Sequence, residues 1–406
     1  MSTDSNEDSV PAAPRRTARY TVLTATVVNA VFVLFVQILG LVTLAPTAFG
    51  IFSIQYLFFA LASSVCLSVV CEPWLRTDVH ERHRSPWRDY SSFLLYFSLT
   101  AGLITVVASL IVPELRVVAL TGTLAVIASI YRSGARYYQV RLNHWKPVLW
   151  SDTAGLIVTV AGWLGSQVAG APGLLSLSIA WALGALASAV LSPWPKVQGV
   201  SSIGEWIVMH KRHIGPLLRD SALTYLGGFG ILFVIAPALG IANFGVYRAV
   251  SNVAAPVRLV LDPLRPTLAG APLATQRSPK RVWASIGVAI AFGVAAYAAL
   301  MVIGAIQIDL GSLTAVVTYA FPTALVVTAN FLGLYYDIIM RAHMKGRTLL
   351  VARIVQAIIS IPFPILGAIL LGLPGAIWSY AISTMCSSLT WLILILHKSQ
   401  NTDPRG

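Results

Sequence analysis

Hydrophobic residues in this chain come in long unbroken runs, not in the alternating or 3.6-residue patterns of half-buried strands and surface helices. Twelve runs stand out, over residues 20–45, 50–70, 91–112, 116–140, 148–168, 173–192, 219–239, 245–268, 283–304, 313–338, 348–371 and 375–396. A helix needs about 20 apolar residues to cross the ~30 Å hydrocarbon core of a bilayer. Inside lipid, only such a helix or a closed barrel satisfies its own backbone hydrogen bonds. The pattern predicts an all-α polytopic membrane protein with twelve transmembrane helices.

The gaps between runs alternate in charge. Residues 46–49, 113–115, 169–172, 240–244, 305–312 and 372–374 form short gaps that are nearly uncharged, with Arg116 as the one basic residue assigned to that side. The opposite gaps hold Arg76, Arg82, Arg84 and Arg88, then Arg141 and Lys146, then Lys196, Lys211 and Arg212. Later ones hold Arg277, Lys280 and Arg281, then Arg341, Lys345 and Arg347. Cytoplasmic loops keep Lys and Arg, so both termini are expected in the cytoplasm of a multi-pass protein of the cell (plasma or inner) membrane.

Composition narrows the class further. Of 406 residues, 57% are hydrophobic and only 11% charged, which leaves room for short loops and no separate soluble domain. The net charge of +13 fits the loop bias and attraction to anionic lipid headgroups better than nucleic-acid binding. Cys66, Cys71 and Cys386 lie in or beside apolar runs without ligand spacing, as small packing residues do. His80 and His83 with Asp78, and His210 with His213, lack a full ligand set and read as solvated loop. The chain has no phosphate-binding glycine loop, nucleophile elbow or zinc-protease helix, which argues against an ATPase or a membrane hydrolase.

The two halves repeat. Leu44 to Phe52 (LAPTAFGIF) matches Leu239 to Tyr247 (LGIANFGVY) at an offset of 195. Tyr137-Tyr138 matches Tyr335-Tyr336 at 198, and Pro172-Gly173 matches Pro374-Gly375 at 202. An even number of crossings separates the copies, so both have one orientation. Two six-helix lobes related by a pseudo-twofold along the membrane normal follow, with a cavity between them. The expected division is a disordered tail at 1–19, lobes at 20–192 and 219–396, a linker at 193–218 and a tail at 397–406. The linker carries Trp206, Ile207 and Leu217 among Lys211, Arg212 and His213, and reads equally as an amphipathic surface segment or a plain connection.

Ionisable groups inside a bilayer cost at least ~2.5 kcal/mol and usually face a cavity or a partner. Arg132 and Arg136 share a helix face, either as a cationic strip gripping phosphate oxygens or as side chains snorkelling to the inner interface. Arg248 follows Phe244-Gly245 on the charge-poor side, with Asn252 one turn on. It reads as a cavity residue or as half of an ion pair with Asp152 or Asp220. Those two acids are placed at the starts of helices five and seven, where capping is their default role. Asn29 and Gln37 share a face of helix one, and they and Asn330 either line the cavity or bond to neighbouring helices. Arg258 and Asp262 are spaced as a local ion pair. Pro256, Pro322, Pro362 and Pro364 are expected to bend or break their helices.

Several of these segments resemble a known family. The outer loop Leu44-x-x-x-x-Phe49-Gly50, the second helix ending at Trp74-Leu75-Arg76, the Tyr137-Tyr138 segment and Gly245-Val-Tyr-Arg248-Ala249 followed by Pro256 look like polysaccharide flippases (Wzx-like exporters) of the multidrug/oligosaccharidyl-lipid/polysaccharide superfamily. The resemblance implies a two-lobed carrier that moves an isoprenoid-diphosphate-linked oligosaccharide to the outer leaflet by alternating access. It further implies membrane lipids and polysaccharide-assembly proteins as partners, and no cofactor. Two other classes stay open: a cation-coupled antiporter of drugs or metabolites in the same superfamily, and a membrane glycan polymerase, ligase or nontransporting scaffold. An antiporter is expected to bury an acid in its first lobe, and the enzymes to carry a long outer loop. Neither feature is legible here.

Overall fold

The computed structural model describes residues 16–76, 87–225, 231–344 and 346–397. The first lobe contains α1 (Arg16–Thr43), α2 (Pro46–Cys66), a π turn (Leu67–Cys71), α3 (Glu72–Arg76), α4 (Trp87–Ile111), α5 (Ala119–Arg141), α6 (Trp145–Val168) and α7 (Gly173–Val190). α8 (Ser201–Tyr225) connects the lobes, and the second contains α9 (Ile231–Leu239), α10 (Ile241–Val253), α11 (Pro256–Gly270), α12 (Leu273–Gln276), α13 (Pro279–Ile306), α14 (Ser312–Val316), α15 (Ala320–His343), α16 (Gly346–Ser360) and α17 (Pro362–His397). Among the described residues, nine helical stretches are long and apolar enough to cross a membrane.

Six of those stretches lie between Thr21 and Val190 and coincide with the six expected crossings of the first lobe. In the second lobe, Pro279–Ile306 and Ser312–His343 match expected runs. The stretch Val351–His397 holds the last two runs in one assignment, but Gly372, at φ 63° and ψ −144°, folds it back on itself. Only a residue without a β-carbon adopts that backbone conformation without strain. Its counterpart 202 positions earlier, Gly170, has φ 72° at the same kind of turn.

The run expected at 219–239 covers the end of α8, then residues 226–230, which lie outside the described residues, and then α9, whereas the run expected at 245–268 is divided between the shorter helices α10 and α11. Gly240 separates α9 from α10 at the gap expected over 240–244, while α10 stops at Val253, inside an expected run, before α11 restarts at Pro256. Pro256 and Pro362 thus break their helices as expected, because proline cannot donate to the preceding turn. Pro322 does not. It sits in the first turn of α15, where a backbone N–H has no helical acceptor in any case. The expected linker is also divided: residues 193–200 form a non-helical strap, and α8 runs on from it into the second lobe.

Helix pairing repeats between lobes. α5 packs on α4 and α7 in the first lobe as α15 packs on α13 and α17 in the second, and α6 pairs with α7 as α16 pairs with α17. Helix association in lipid rests on close packing, which small residues permit. The seam between lobes shows this at its charge-poor end, where α2 lies against α10. A β-carbon on Gly245 would overlap the Pro46 carbonyl oxygen, and one on Gly50 would overlap the Ile241 carbonyl oxygen. Both residue pairs differ by the same 195 positions, so the contact is made twice, once from each lobe. Ser312 fastens the same end, its N–H and hydroxyl each 2.7 Å from the Leu44 carbonyl oxygen.

Candidate functional site

Arg248 lies two turns into α10, at the seam, and is 7% exposed. Its Nη1 reaches Ser251 Oγ at 3.4 Å, while Nε is buried without a hydrogen-bond partner. Among the described residues no carboxylate pairs with it. The groups in electrostatic reach are hydroxyls: Tyr56 of α2, Tyr380 of α17 and the neighbouring Tyr247. Gln37 Nε2 donates to Tyr56 Oη at 2.8 Å, and Asn330 lies within hydrogen-bonding reach of Tyr380. The Asn330 amide also donates to the Val326 carbonyl at 2.9 Å. Asn252 is half-buried in the last turn of α10. Gln37, Tyr56, Arg248, Tyr380 and Asn330 therefore form one polar group drawn from both lobes.

A second group lies inside the first lobe. Arg132 is 5% exposed; its Nη2 and Nε donate to Asp152 Oδ1 at 2.7 and 3.2 Å. Its Nη2 also donates to Asn29 Oδ1 at 2.8 Å, and the guanidinium lies 4.2 Å above the centre of the Phe32 ring. Arg136 Nε donates to Asp152 Oδ2 at 3.0 Å, leaving its Nη atoms without a partner among the described residues. Two cations share one carboxylate, so the group keeps a net positive charge.

Asp152 is not a helix cap. α6 begins at Trp145, earlier than expected, which places Asp152 two turns inside the helix and 1% exposed. Nor does it pair with Arg248, because it is taken by Arg132 and Arg136. Neither arginine snorkels outward: both turn to Asp152. Asp220 falls within α8, but its side chain lies outside the described residues, as does that of Asp262, the expected partner of Arg258. His80, His83 and Asp78 also lie outside them, whereas His210 and His213 are in α8, not in a loop. No group of three or more potential metal ligands occurs among the described residues.

Arg132 borders a small recess with Phe32, Val36, Tyr56, Phe59, Ser129 and Trp181. Trp181 Nε1 donates to Ser129 Oγ at 3.1 Å, which keeps this wall polar at one point. Tyr56 belongs to this recess and also faces Arg248, so one residue links the two cationic groups. The repeat relates them as well, since Arg132 and Asn330 occupy equivalent positions 198 apart. Tyr56 and Tyr380 were not among the residues expected from sequence, and the exposed Arg258, expected only as half of a local ion pair, lies in electrostatic reach of both tyrosines. The available signal was a tyrosine in mid-run, whose hydroxyl must find a partner once buried.

No known family model and no curated protein sequence matches the chain. Solved structures do. An inward-facing multidrug resistance MATE family transporter of the MOP superfamily superposes with a TM-score of 0.64 at 12% identity, covering 93% of this chain and 97% of that one. The lipid II flippase MurJ, in an inward closed conformation, gives 0.58 at 13% identity over 92% and 87%. An outward-facing MATE family transporter of the MOP superfamily gives 0.55 at 13% over 93% and 94%. Over nearly its whole length, this chain has the two-lobed helical fold of those membrane transporters.

Proposed function

We propose that this protein is a flippase that carries an isoprenoid-diphosphate-linked oligosaccharide, or a related anionic glycolipid, from the inner to the outer leaflet for cell-surface polysaccharide synthesis. Arg248 carries the reading. A guanidinium buried between two lobes, with an unpartnered Nε and no carboxylate among the described residues, is costly unless an anion completes it. A diphosphate supplies that anion, and Arg recognises phosphate oxygens through paired N–H donors. The net-positive Arg132–Asp152–Arg136 group, reached through Tyr56, extends the same potential toward the basic side. The seam is shut at the charge-poor end by Gly50 and Gly245, as a carrier awaiting cargo from the cytoplasm requires. The share of the fold held in common with a lipid II flippase supports a lipid-linked cargo.

The test is translocation of a fluorescent isoprenoid-diphosphate oligosaccharide in proteoliposomes. Arg248→Ala is expected to insert normally and to lose transport. Transport at the unmutated rate would show that Arg248 does not hold the cargo.

One observation favours a second reading, a cation-coupled antiporter of drugs or metabolites. Asp152 is the buried first-lobe acid that such a carrier needs, and two of the structures sharing the fold are multidrug transporters. Efflux of a cationic dye that depends on Asp152 would decide for it.

A further inference from the structure

Residues 193–225 connect the lobes, and their described hydrogen bonds to the rest of the chain run to α4, α5 and the π turn. The strap 193–200 is tied to the start of α4: Trp87 Nε1 donates to the Trp194 carbonyl at 2.8 Å, and the N–H groups of Lys196 and Gln198 donate to Ser91 Oγ and Ser92 Oγ at 3.0 and 3.1 Å. Tyr96 and Tyr131 donate their hydroxyls to the carbonyls of Gln198 and Pro193, each at 2.6 Å. α8 is fixed through Trp206, whose indole N–H donates to the Val69 carbonyl at 3.1 Å. Val69 lies in the π turn, where the helical hydrogen-bond register shifts. The Trp206 ring stacks on Phe93 and His210, with centroids 5.5 and 4.0 Å away.

Other side chains of the segment are bare. Trp194 is 71% exposed, Val200 68% and Val208 65%, and Val197 and Ile207 are exposed with them. Lys196, Lys211, Arg212 and Arg219 are exposed among these apolar residues, with Glu205 as the one exposed acid described between 193 and 219. At 100° per residue Val208 stands opposite the docked Trp206, with Lys211 and Arg212 on either flank. An apolar patch of this kind marks an interaction surface. Its basic rim selects the partner's charge, and its position at the basic end of α4 puts it level with lipid headgroups.

We propose that the strap and the outward face of α8 dock on the anionic phospholipid surface of the protein's own bilayer. Trp194, Val197 and Val208 enter the headgroup–acyl boundary, while Lys196, Lys211 and Arg212 pair with lipid phosphates. Through Trp206 and the π turn, the same docking holds the inner end of α2, the helix that bears Tyr56 and Gly50. The inference does not depend on the identity of the cargo.

The test places an environment-sensitive fluorophore on Val208→Cys in a Cys386→Ser background. The full-length protein is reconstituted into phosphatidylcholine vesicles with or without phosphatidylglycerol, each carrying brominated acyl chains as quenchers. Phosphatidylglycerol is expected to increase quenching by the lipid and reduce quenching by aqueous iodide. Each charge lost in Lys196→Gln, Lys211→Gln or Arg212→Gln should lower the docking equilibrium about fivefold, and Glu205→Gln should raise it. Equal quenching in the two vesicle types would overturn the proposal. So would variants indistinguishable from the parent, or iodide access unchanged by lipid charge, which would leave the patch for a protein partner.

Discussion

Gly50 and Gly245 hold the same place in the two halves of the chain, and each lies directly against the first turn of the other's helix. The contact exists because neither residue has a β-carbon, and the neighbouring atoms on both sides are backbone carbonyls that cannot rotate away. Gly245→Val should therefore oppose closure of the charge-poor end by about 1–3 kcal/mol, the usual cost of overpacking. Alkylation of a cysteine placed at the buried Val246, in a Cys386→Ser background, should speed up several-fold. An unchanged rate would mean that the seam closes by other contacts.

Arg132 and Arg248 are both buried arginines, yet they should respond oppositely to loss of charge. Arg132→Met strips the buried Asp152 of its closest partner, at 2.7 Å, and should lower stability by about 2–3 kcal/mol. Arg248→Met removes a cation that no described carboxylate balances, and should leave the unfolding temperature unchanged or higher. Thermal unfolding followed by tryptophan fluorescence in detergent separates the two. A large loss of stability in Arg248→Met would reveal a structural partner for that residue.

Asp152→Asn bears on the choice between cargoes. On the flippase reading it frees Arg132 and Arg136, so competition by inorganic pyrophosphate against the lipid-linked substrate should strengthen several-fold. Rescue of Arg132→Met stability by Asp152→Asn is expected as well, since the pair is coupled. Loss of dye efflux together with no change in pyrophosphate competition would point to the antiporter.

Gly372 gives a purely conformational test. Nothing lies within 4 Å of the position a β-carbon would take, so Gly372→Ala adds no clash and only backbone strain. It should destabilise by about 1–3 kcal/mol. Gly165, equally open but inside α6, should respond with the opposite sign, Gly165→Ala raising stability by about 0.5–1 kcal/mol. Two changes of equal sign in thermal unfolding would contradict the turn geometry.

The helical class, the crossings of the first lobe and the two-lobed repeat were legible in the chain, because a bilayer forces each crossing to satisfy its hydrogen bonds within its own local sequence. Run length and the spacing of repeats carry that information without any knowledge of neighbours. The repeat motif Phe49-Gly50 and Phe244-Gly245 even marked the residues that meet at the seam, though not that they meet. The interruption after Val253 was less legible, since a long apolar run conceals a helix that stops and restarts.

Partnership between buried charges was decided only by the tertiary structure. Arg132 and Asp152 lie on separate helices, and whether their faces meet depends on how small residues let those helices rotate and approach. That packing gave Asp152, already two turns inside α6 because the helix begins at Trp145, two arginines as partners. Arg248 received no such neighbour: the equivalent position in the first lobe, 195 residues earlier, is Ser53, and the groups that surround it are tyrosine hydroxyls. A sequence states which charges enter a membrane, but the angle at which each helix settles against the next determines which of them stay uncompensated.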